Sequence, residues 1–427
     1  MSMWEDCPVY GSYDVVVAGG GTAGFAAGVS AARNGLKTLI IEEQAFLGGT
    51  STGGGVGVFF GFAKGETNEN LCGIVKDMMD RMMEKKGTRG IQTIYCLGLK
   101  DMDVPAAEYN DDVLKVVMDE LVEESGAQVL FHTRFIGLEK EEDEIRSVII
   151  HSSRGIQKVY AKVFIDASFH AFLAAEAGVP WEVGDENGVI QPGTLMYKTA
   201  GVDFSQYAKF PVEERQKLAR KGLESGDLPV NFLLARQLQN GAVYHNQSRV
   251  PVNPLEPENW SEAERAARAQ VVKISNWWVK NVPGFEHAYL SSTSSSMGLR
   301  DSRRVKGSFI LTGDALMEGK EYEDAIAASS YPMDIHHHDG RKDNTLIRPK
   351  SGVYWIPYRC LTTREVANLL VVGRCISADA AAHASSRVTI TCMRTGEAAG
   401  YAAAESLKSG VAVRDVDGRL IRSKMML

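Results

Sequence analysis

Asp14-Val15-Val16-Val17-Ala18 is a short β-branched run that stops at Gly19, and Phe25–Asn34 follows as an Ala-rich helical stretch ending at Gly35. Lys37–Ile41 is a second apolar strand, closed by Glu42 and Glu43. The pattern predicts a β-α-β unit of about thirty residues. Further on, Cys72–Lys86 sets Ile74, Val75, Met78, Met79, Met82 and Met83 at helical spacing, a core-facing stripe. Asp111–Ser125 predicts another amphipathic helix and Gln128–His132 a strand. Phe135–Ala161 alternates in hairpin-like stretches around Glu139–Glu144 and Ser152–Gly155, and Lys162–Asp166 returns as a buried strand. That order predicts a three-stranded antiparallel meander between parallel strands. Near the end, Asn368–Val372 predicts a strand stopped by Gly373-Arg374, and Val388–Ser406 a helix carrying Gly396-Glu397-Ala398-Ala399-Gly400.

The texture changes between Ala171 and Lys350, where polar helices (Glu213–Gly226, Trp260–Val282) alternate with aromatic and arginine-rich loops. The expected fold is therefore α/β, with a Rossmann-like dinucleotide-binding domain and its β-meander built from residues 1–170 and 351–427. Residues 171–350 form an inserted α+β domain that covers the substrate. Internal repeats and low-complexity tracts are absent from the sequence.

The β-α-β unit carries G-x-G-x-x-G at Gly19, Gly21 and Gly24, with Thr22 and Ala23 inside the turn. Gly19 permits the tight turn, Gly21 lets backbone approach a pyrophosphate, and Gly24 lets helix pack on strand. The helix N-terminus offers N–H groups and partial positive charge to the phosphates. Glu42 follows Gly24 by eighteen positions and can accept hydrogen bonds from ribose hydroxyls. Leu47-Gly48-Gly49-Thr50-Ser51-Thr52-Gly53-Gly54-Gly55 leads into the apolar Val56–Phe62, so it reads as buried backbone beside a ligand rather than a surface linker.

The chain has 427 residues, with 47 Lys+Arg against 54 Asp+Glu and a net charge of −7. Hydrophobic content of 44% with 24% charged residues excludes intrinsic disorder. The mild acidity gives phosphate backbones no general attraction, so no nucleic-acid partner is expected. The uncharged stretches Val15–Ala32 and Gln44–Ala63 hold five and seven glycines. A spanning helix needs about 20 predominantly apolar residues, so these are ligand loops and no membrane span is expected. Cys7, Cys72, Cys96, Cys360, Cys375 and Cys392 form no C-x-x-C pair. Unpaired thiols fit a reducing compartment, and neither end reads as a targeting signal, so the cytoplasm is expected. His336-His337-His338 with Asp334 and Asp339 has no second spaced ligand pair, and consecutive side chains diverge, so no metal is expected.

Taken together these motifs resemble the FAD-dependent oxidoreductases of the glutathione-reductase-like flavoprotein superfamily, near the soluble fumarate reductase and succinate dehydrogenase flavoproteins. The resemblance also rests on Gly298-Leu299-Arg300-Asp301-Ser302-Arg303-Arg304, Tyr331-Pro332-Met333-Asp334-Ile335-His336, Ile356-Pro357-Tyr358-Arg359-Cys360 and Asn368–Ser377. Residues 201–285 match nothing in it. It implies FAD as cofactor. Gly19–Gly24 would hold the pyrophosphate and Glu42 the adenosine ribose, while Arg134-Phe135 would offer backbone to adenine. Ala167-Ser168 would lie near the dinucleotide, and Gly48, Gly49, Thr50, Ser51 and Thr52 would run along the ribityl chain and flavin. Gly373-Arg374 would contact the ribityl or pyrophosphate region. A helix starting near Thr395, with Glu397, Ala398 and Ala399, would point its N-terminus at the flavin pyrimidine edge. Two departures stand out: Phe169-His170 replaces the family's usual Gly-Asp, and His383-Ala384-Ser385-Ser386-Arg387 replaces its His-Gly-Ser run.

The implied activity is hydride transfer to or from a small polar organic substrate, by C=C reduction, desaturation or alcohol oxidation. Arg387 would clamp a substrate carboxylate, with Arg359 beside it. His383 and Tyr331 are the acid–base candidates, and His336 a substrate-facing side chain. Arg387 as a carbonyl-capping arginine, Arg359 as an internally paired one, and Arg300, Arg303 and Arg304 as a solvated helix face stay open. A flavin-dependent hydratase or isomerase without net redox is the alternative function. No second phosphate fingerprint, haem motif or iron–sulfur pattern is present. Electrons would come from substrate, oxygen, a docked nicotinamide or a separate electron-transfer protein.

Overall fold

Val15, Val16, Val17 and Ala18 send alternate side chains to two different cores, as a strand buried on both faces must. In the computed structural model, which describes Trp4 and residues 6–95, 103–337 and 344–426, they end strand β1 (Val9–Ala18). Helix α1 (Thr22–Arg33) and strand β2 (Thr38–Ile41) follow as predicted. Helices α2 (Gly73–Glu84) and α3 (Asp111–Ser125) bury their apolar stripes, Met78, Met79 and Met82 among them. Strands β3 (Gln128–Leu130), β4 (Arg134–Glu141), β5 (Glu144–Ser152) and β6 (Gly155–Asp166) complete the N-terminal run.

These strands form one sheet in the order β3-β2-β1-β6-β5-β4, with the late strand Leu369–Val371 parallel to β6. β1 runs parallel to both β2 and β6, while β4, β5 and β6 form the antiparallel meander. The sequence separates Phe135–Ala161 from Lys162–Asp166. In the structure the third meander strand and the buried parallel strand are one twelve-residue element, β6. Its first half pairs with β5 and its last residues with Leu369–Val371.

The first core lies on one sheet face, under α1, α2, α3 and the C-terminal helix. The second lies on the other face, with Leu173, Ala174, Val179 and Val305. A third core, Leu195 to Leu299, surrounds a four-stranded sheet (Arg236–Gln237, Val243–His245, Tyr197–Ala200, Tyr289–Thr293) and helix α4 (Pro257–Asn281). Pro257 starts α4 at the first-turn position that tolerates a missing N–H, and Ala267, Ile274 and Trp278 fill its inner face. Leu311, Leu316, Tyr322 and Ala325–Ala327 join the first core instead. Helices α5 (Ala380–Ser386) and α6 (Thr389–Ser409) close the chain's late half, and α6 packs along α1. Among the described residues no helix is long and apolar enough to cross a membrane.

Candidate active site

The groove at the carboxyl ends of β1 and β6 is built by glycines. Gly19 has φ 96°, and a Cβ there would lie 2.7 Å from the Ala167 carbonyl oxygen. Ala167 in turn donates its N–H to Ala18. A Cβ on Gly24 would strike the Gly19 carbonyl oxygen, so α1 can reach this depth only with glycine. Gly21 differs: no heavy atom lies within 4 Å of where its Cβ would sit. No side chain caps α1 and its first turn holds no acid. Its positive end is left for an anionic ligand, which is the cradle a pyrophosphate needs.

Glu42 is buried, and burial pushes its carboxyl up. Its oxygens accept the N–H groups of Gly20 at 2.6 Å and Gln44 at 2.7 Å. A carboxylate has about four acceptor directions, so ribose hydroxyls can still be received. The Thr133 N–H reaches the Glu42 carbonyl, which brings the Arg134-Phe135 backbone alongside. The Arg134 side chain itself is exposed and pairs with Glu43. Ser168 donates to Asp166 at 2.6 Å.

Gly48, at φ 101°, donates to the Gly20 carbonyl, and the Gly49–Ser51 turn follows. Thr52 donates to Leu47, Tyr109 donates to the Ser51 carbonyl, and the Ser51 and Thr389 hydroxyls meet at 3.3 Å. The Gly48–Thr52 backbone, Thr50 included, is thus held between the start of α1 and the start of α6. Gly373 donates to Thr395 at 2.9 Å, beside Ala23.

Three expectations change here. Helix α6 starts at Thr389, not near Thr395, because Val388 is its N-cap. Glu397, Ala398 and Ala399 therefore lie inside the helix, where their N–H groups serve the helical ladder. The unpaired N–H groups belong to its first turn. Arg374 is also committed elsewhere: it donates to the Leu299 carbonyl at 2.6 Å and lies 3.7 Å over the Phe169 ring. The structure does not bring Arg359 to the site, since that side chain is half exposed and bonded to Asp324 at 2.9 Å.

Tyr331, His336 and Arg387 do meet, around Asp334. The Asp334 Oδ2 accepts the Tyr331 hydroxyl at 2.9 Å and His336 Nε2 at 3.0 Å, with Arg387 at 3.7 Å. Arg387 also donates to the Asp334 carbonyl, and Ser385 to the Tyr331 carbonyl. Burial opposes charge on Asp334, but His336, Arg387 and Arg300 hold its carboxyl well below the usual range. Burial, then Arg300 and Arg249, push His336 well below its ordinary value. The imidazole is therefore neutral, with Nε2–H donating to Asp334 and Nδ1 accepting from Arg249 at 3.3 Å. Tyr331 packs on Val388, which places this group next to the α6 N-terminus.

His383, on α5, is 1% exposed, and neither ring nitrogen has a hydrogen-bond partner. The Arg374 main chain approaches the ring without reaching hydrogen-bond geometry. Burial, with Arg304, Arg387 and Arg374, keeps it neutral. Buried orphan polar atoms of this kind need a partner. FAD fits here: open space before Gly21, an uncapped α1, and unpartnered polar groups where α5 meets α6.

Residues 299–305 are not a solvated helix face. Arg304 is 1% exposed and bonded to Asp301, Gly184 and Ala378, while Arg303 stacks on Trp181. Arg300 turns inward to Pro192 and Thr194, and Arg249 joins it at the same threonine. Arg249 falls in the stretch without resemblance. Its one local sign is a charged residue just before the apolar Val250-Pro251-Val252. Among the described residues no three His, Cys, Asp or Glu side chains gather as for a metal; His338 and Asp339 lie outside the described residues. A cleft of about 470 Å³ between Gln92, Glu108, Tyr207 and Arg215 contains none of the expected site residues.

A digeranylgeranylglycerophospholipid reductase of Thermoplasma acidophilum is 29% identical over 202 residues, 45% of this chain and 48% of that protein. A dihydrolipoyl dehydrogenase of Trypanosoma brucei brucei is 49% identical over 49 residues, 11% of this chain and 10% of that protein. The chain thus spans about half the length, or less, of these curated relatives. A crystal structure of a geranylgeranyl bacteriochlorophyll reductase-like protein from Thermoplasma acidophilum superposes with a TM-score of 0.51 at 15% identity, over 97% of this chain and 83% of that one. That likeness shows the fold. A family model for FAD dependent oxidoreductases matches residues 14–425. With nearly the whole chain matched and a groove shaped for a dinucleotide, the chain belongs to the FAD-dependent oxidoreductase family, and its cofactor is FAD.

Proposed function

We propose that the protein transfers a hydride to or from a small polar organic substrate, in the manner of a C=C reductase, a desaturating enzyme or an alcohol oxidase. When bound, FAD supplies the hydride and electron chemistry. The observation that carries the reading is His383: a buried, neutral imidazole with both nitrogens unpartnered, four residues before Arg387 and just ahead of the α6 N-terminus.

Arg387 orients the substrate. Its Nη2 is tied to Asp334 and its Nε has no partner. His383 offers one N–H and one lone pair, so it can hold a substrate hydroxyl or take its proton. Negative charge arriving at Arg387 would raise its basicity, since that guanidinium is among the charges holding the ring neutral. Tyr331 is oriented by Asp334 and shares its side of the pocket. The third core, within residues 171–350, acts as the cap that excludes water. The second redox partner comes from outside the chain. Free thiols at Cys7, Cys72, Cys360, Cys375 and Cys392 suit a reducing, cytoplasmic setting.

Anaerobic mixing of the yellow holoenzyme with a panel of alcohols and saturated acids tests this. The true substrate bleaches absorbance near ~450 nm, and an acceptor restores it. His383→Ala should slow bleaching about 10²–10⁴-fold with FAD still bound. Turnover with an unchanged flavin spectrum and no need for donor or acceptor would replace this reading with a hydratase or isomerase.

A further inference from the structure

Three guanidiniums converge from separate parts of the chain: Arg249 and Arg300 from the third-core region, and Arg387 from the end of α5. Arg249 and Arg300 are 6% and 7% exposed, and the Arg387 side chain 13%. Arg249 and Arg300 share the Thr194 hydroxyl, at 2.8 and 2.9 Å. Arg249 reaches His336, which is bonded to Asp334, the carboxylate that also faces Arg387. Asp301, also near Arg387, is taken by Arg304 at 2.8 Å.

The charges do not balance. Among the described residues these three guanidiniums have Asp334 as their shared acid, and His336 is neutral. Arg249 and Arg387 both repel Arg300. Buried charge in excess is costly unless an opposite charge arrives. The hydrogen bonding is incomplete too: Arg387 Nε has no partner, and among the described residues Arg300 bonds only through Nη1. Planar forks with unused edges match the two oxygens of an oxyanion.

We infer that Arg249, Arg300 and Arg387 form one binding site for an oxyanionic group of the substrate, a carboxylate or a phosphate. This rests on the reading of Arg387 as the substrate-orienting residue and extends it to two arginines of the cap. The bound anion joins cap to cofactor domain and neutralises charge that neither supplies. Asp334 is a positioning residue: it holds Arg387 and fixes the His336 tautomer that receives Arg249.

The test is a titration of oxidised holoenzyme at constant ionic strength with acetate, malonate, succinate, inorganic phosphate and sulfate. It is followed by the flavin difference spectrum and by calorimetry. Saturable binding of at least one anion is expected, and preference for carboxylates or for phosphate and sulfate identifies the group. Arg249→Met and Arg300→Met should each weaken it about 10- to 100-fold while FAD occupancy stays at the wild-type level. Arg249→Lys, which keeps charge but loses the fork, should fall between. Absence of saturable binding to the wild-type holoenzyme overturns the inference, even where a variant does not fold. So does wild-type affinity in FAD-loaded Arg249→Met and Arg300→Met. Anion binding needs no turnover, so its failure leaves the hydride-transfer reading standing. A protein that binds anions but is never bleached by any substrate fails that reading and not this one.

Discussion

At Gly21 and Gly24 the same added methyl group should have opposite effects. Gly24→Ala would drive a Cβ into the Gly19 carbonyl oxygen, rigid backbone on both sides. Overpacking of that kind costs about 1–3 kcal/mol or more, so this variant should unfold at lower temperature or fail to fold. Gly21 has φ −59°, which alanine adopts without strain, and open space where the methyl would go. Gly21→Ala should keep FAD-free stability within about 0.5 kcal/mol of wild type and lose FAD affinity, because the methyl stands where the pyrophosphate approaches. Thermal unfolding without FAD and a flavin-fluorescence titration check both halves. Unchanged affinity in Gly21→Ala would move the phosphates elsewhere. Phe169 shows the reverse trade at this scale. It takes φ 65°, a conformation natural to glycine, and the Arg374 guanidinium stacked on its ring accompanies that strain.

Among the elements, α6 shows how far the sequence could be read. Its apolar periodicity predicts Val388–Ser406, close to the observed Thr389–Ser409, yet the ligand-facing end was expected at Thr395. Gly396 and Gly400 serve packing instead: Cβ atoms there would strike Ala23 and Ser30 of α1. A glycine pair for helix contact and one for ligand approach look alike in a sequence. The β-α-β unit, the Gly48–Thr52 turn and the meander were legible because each depends on local spacing. Arg249 and the inward turn of Arg300 were not, since an arginine's partners are chosen by tertiary contacts made far along the chain. Glu397 gives this helix a testable pH signature. It is 4% exposed and accepts the Ile74 N–H at 3.2 Å. Burial pushes its carboxyl from 4.5 up to about 7. Below pH 4.5 both states are protonated. Between there and pH 7 the unfolded chain releases its proton first, so this group's contribution to stability falls as pH rises, and levels off above. Glu397→Gln keeps the acceptor and removes the ionisation. It should match wild type at pH 4 and exceed it by about 1–3 kcal/mol at pH 8 in denaturant unfolding. Parallel pH curves for the two proteins would refute this.

Three large apolar cores build most of the molecule. The first and second sandwich the seven-stranded sheet, the third surrounds α4 and its four-stranded sheet, and the α5–α6 corner is polar. That corner gathers several buried polar atoms that the described residues leave to a ligand. The nitrogens of His383, the Ser386 hydroxyl and Arg387 Nε are all buried without a partner. Each such atom costs about 1–3 kcal/mol, far more than a surface group. Strands β1 and β6 and the inner face of α4, in contrast, are paired or packed in apolar cores. FAD removal should therefore act unevenly. Saturating FAD, at a thousand times its dissociation constant, stabilises the fold by about 4 kcal/mol through binding alone. Stripping it should lower the melting temperature accordingly. In hydrogen exchange, residues 380–392 and the Gly48–Thr52 turn should lose protection first, while β1, β6 and α4 keep theirs until global unfolding. Equal loss across the sheet, the cap and the corner would mean the cofactor merely stabilises one cooperative body. Loss confined to the corner would mean that FAD supplies the partners of the polar groups where α5 meets α6.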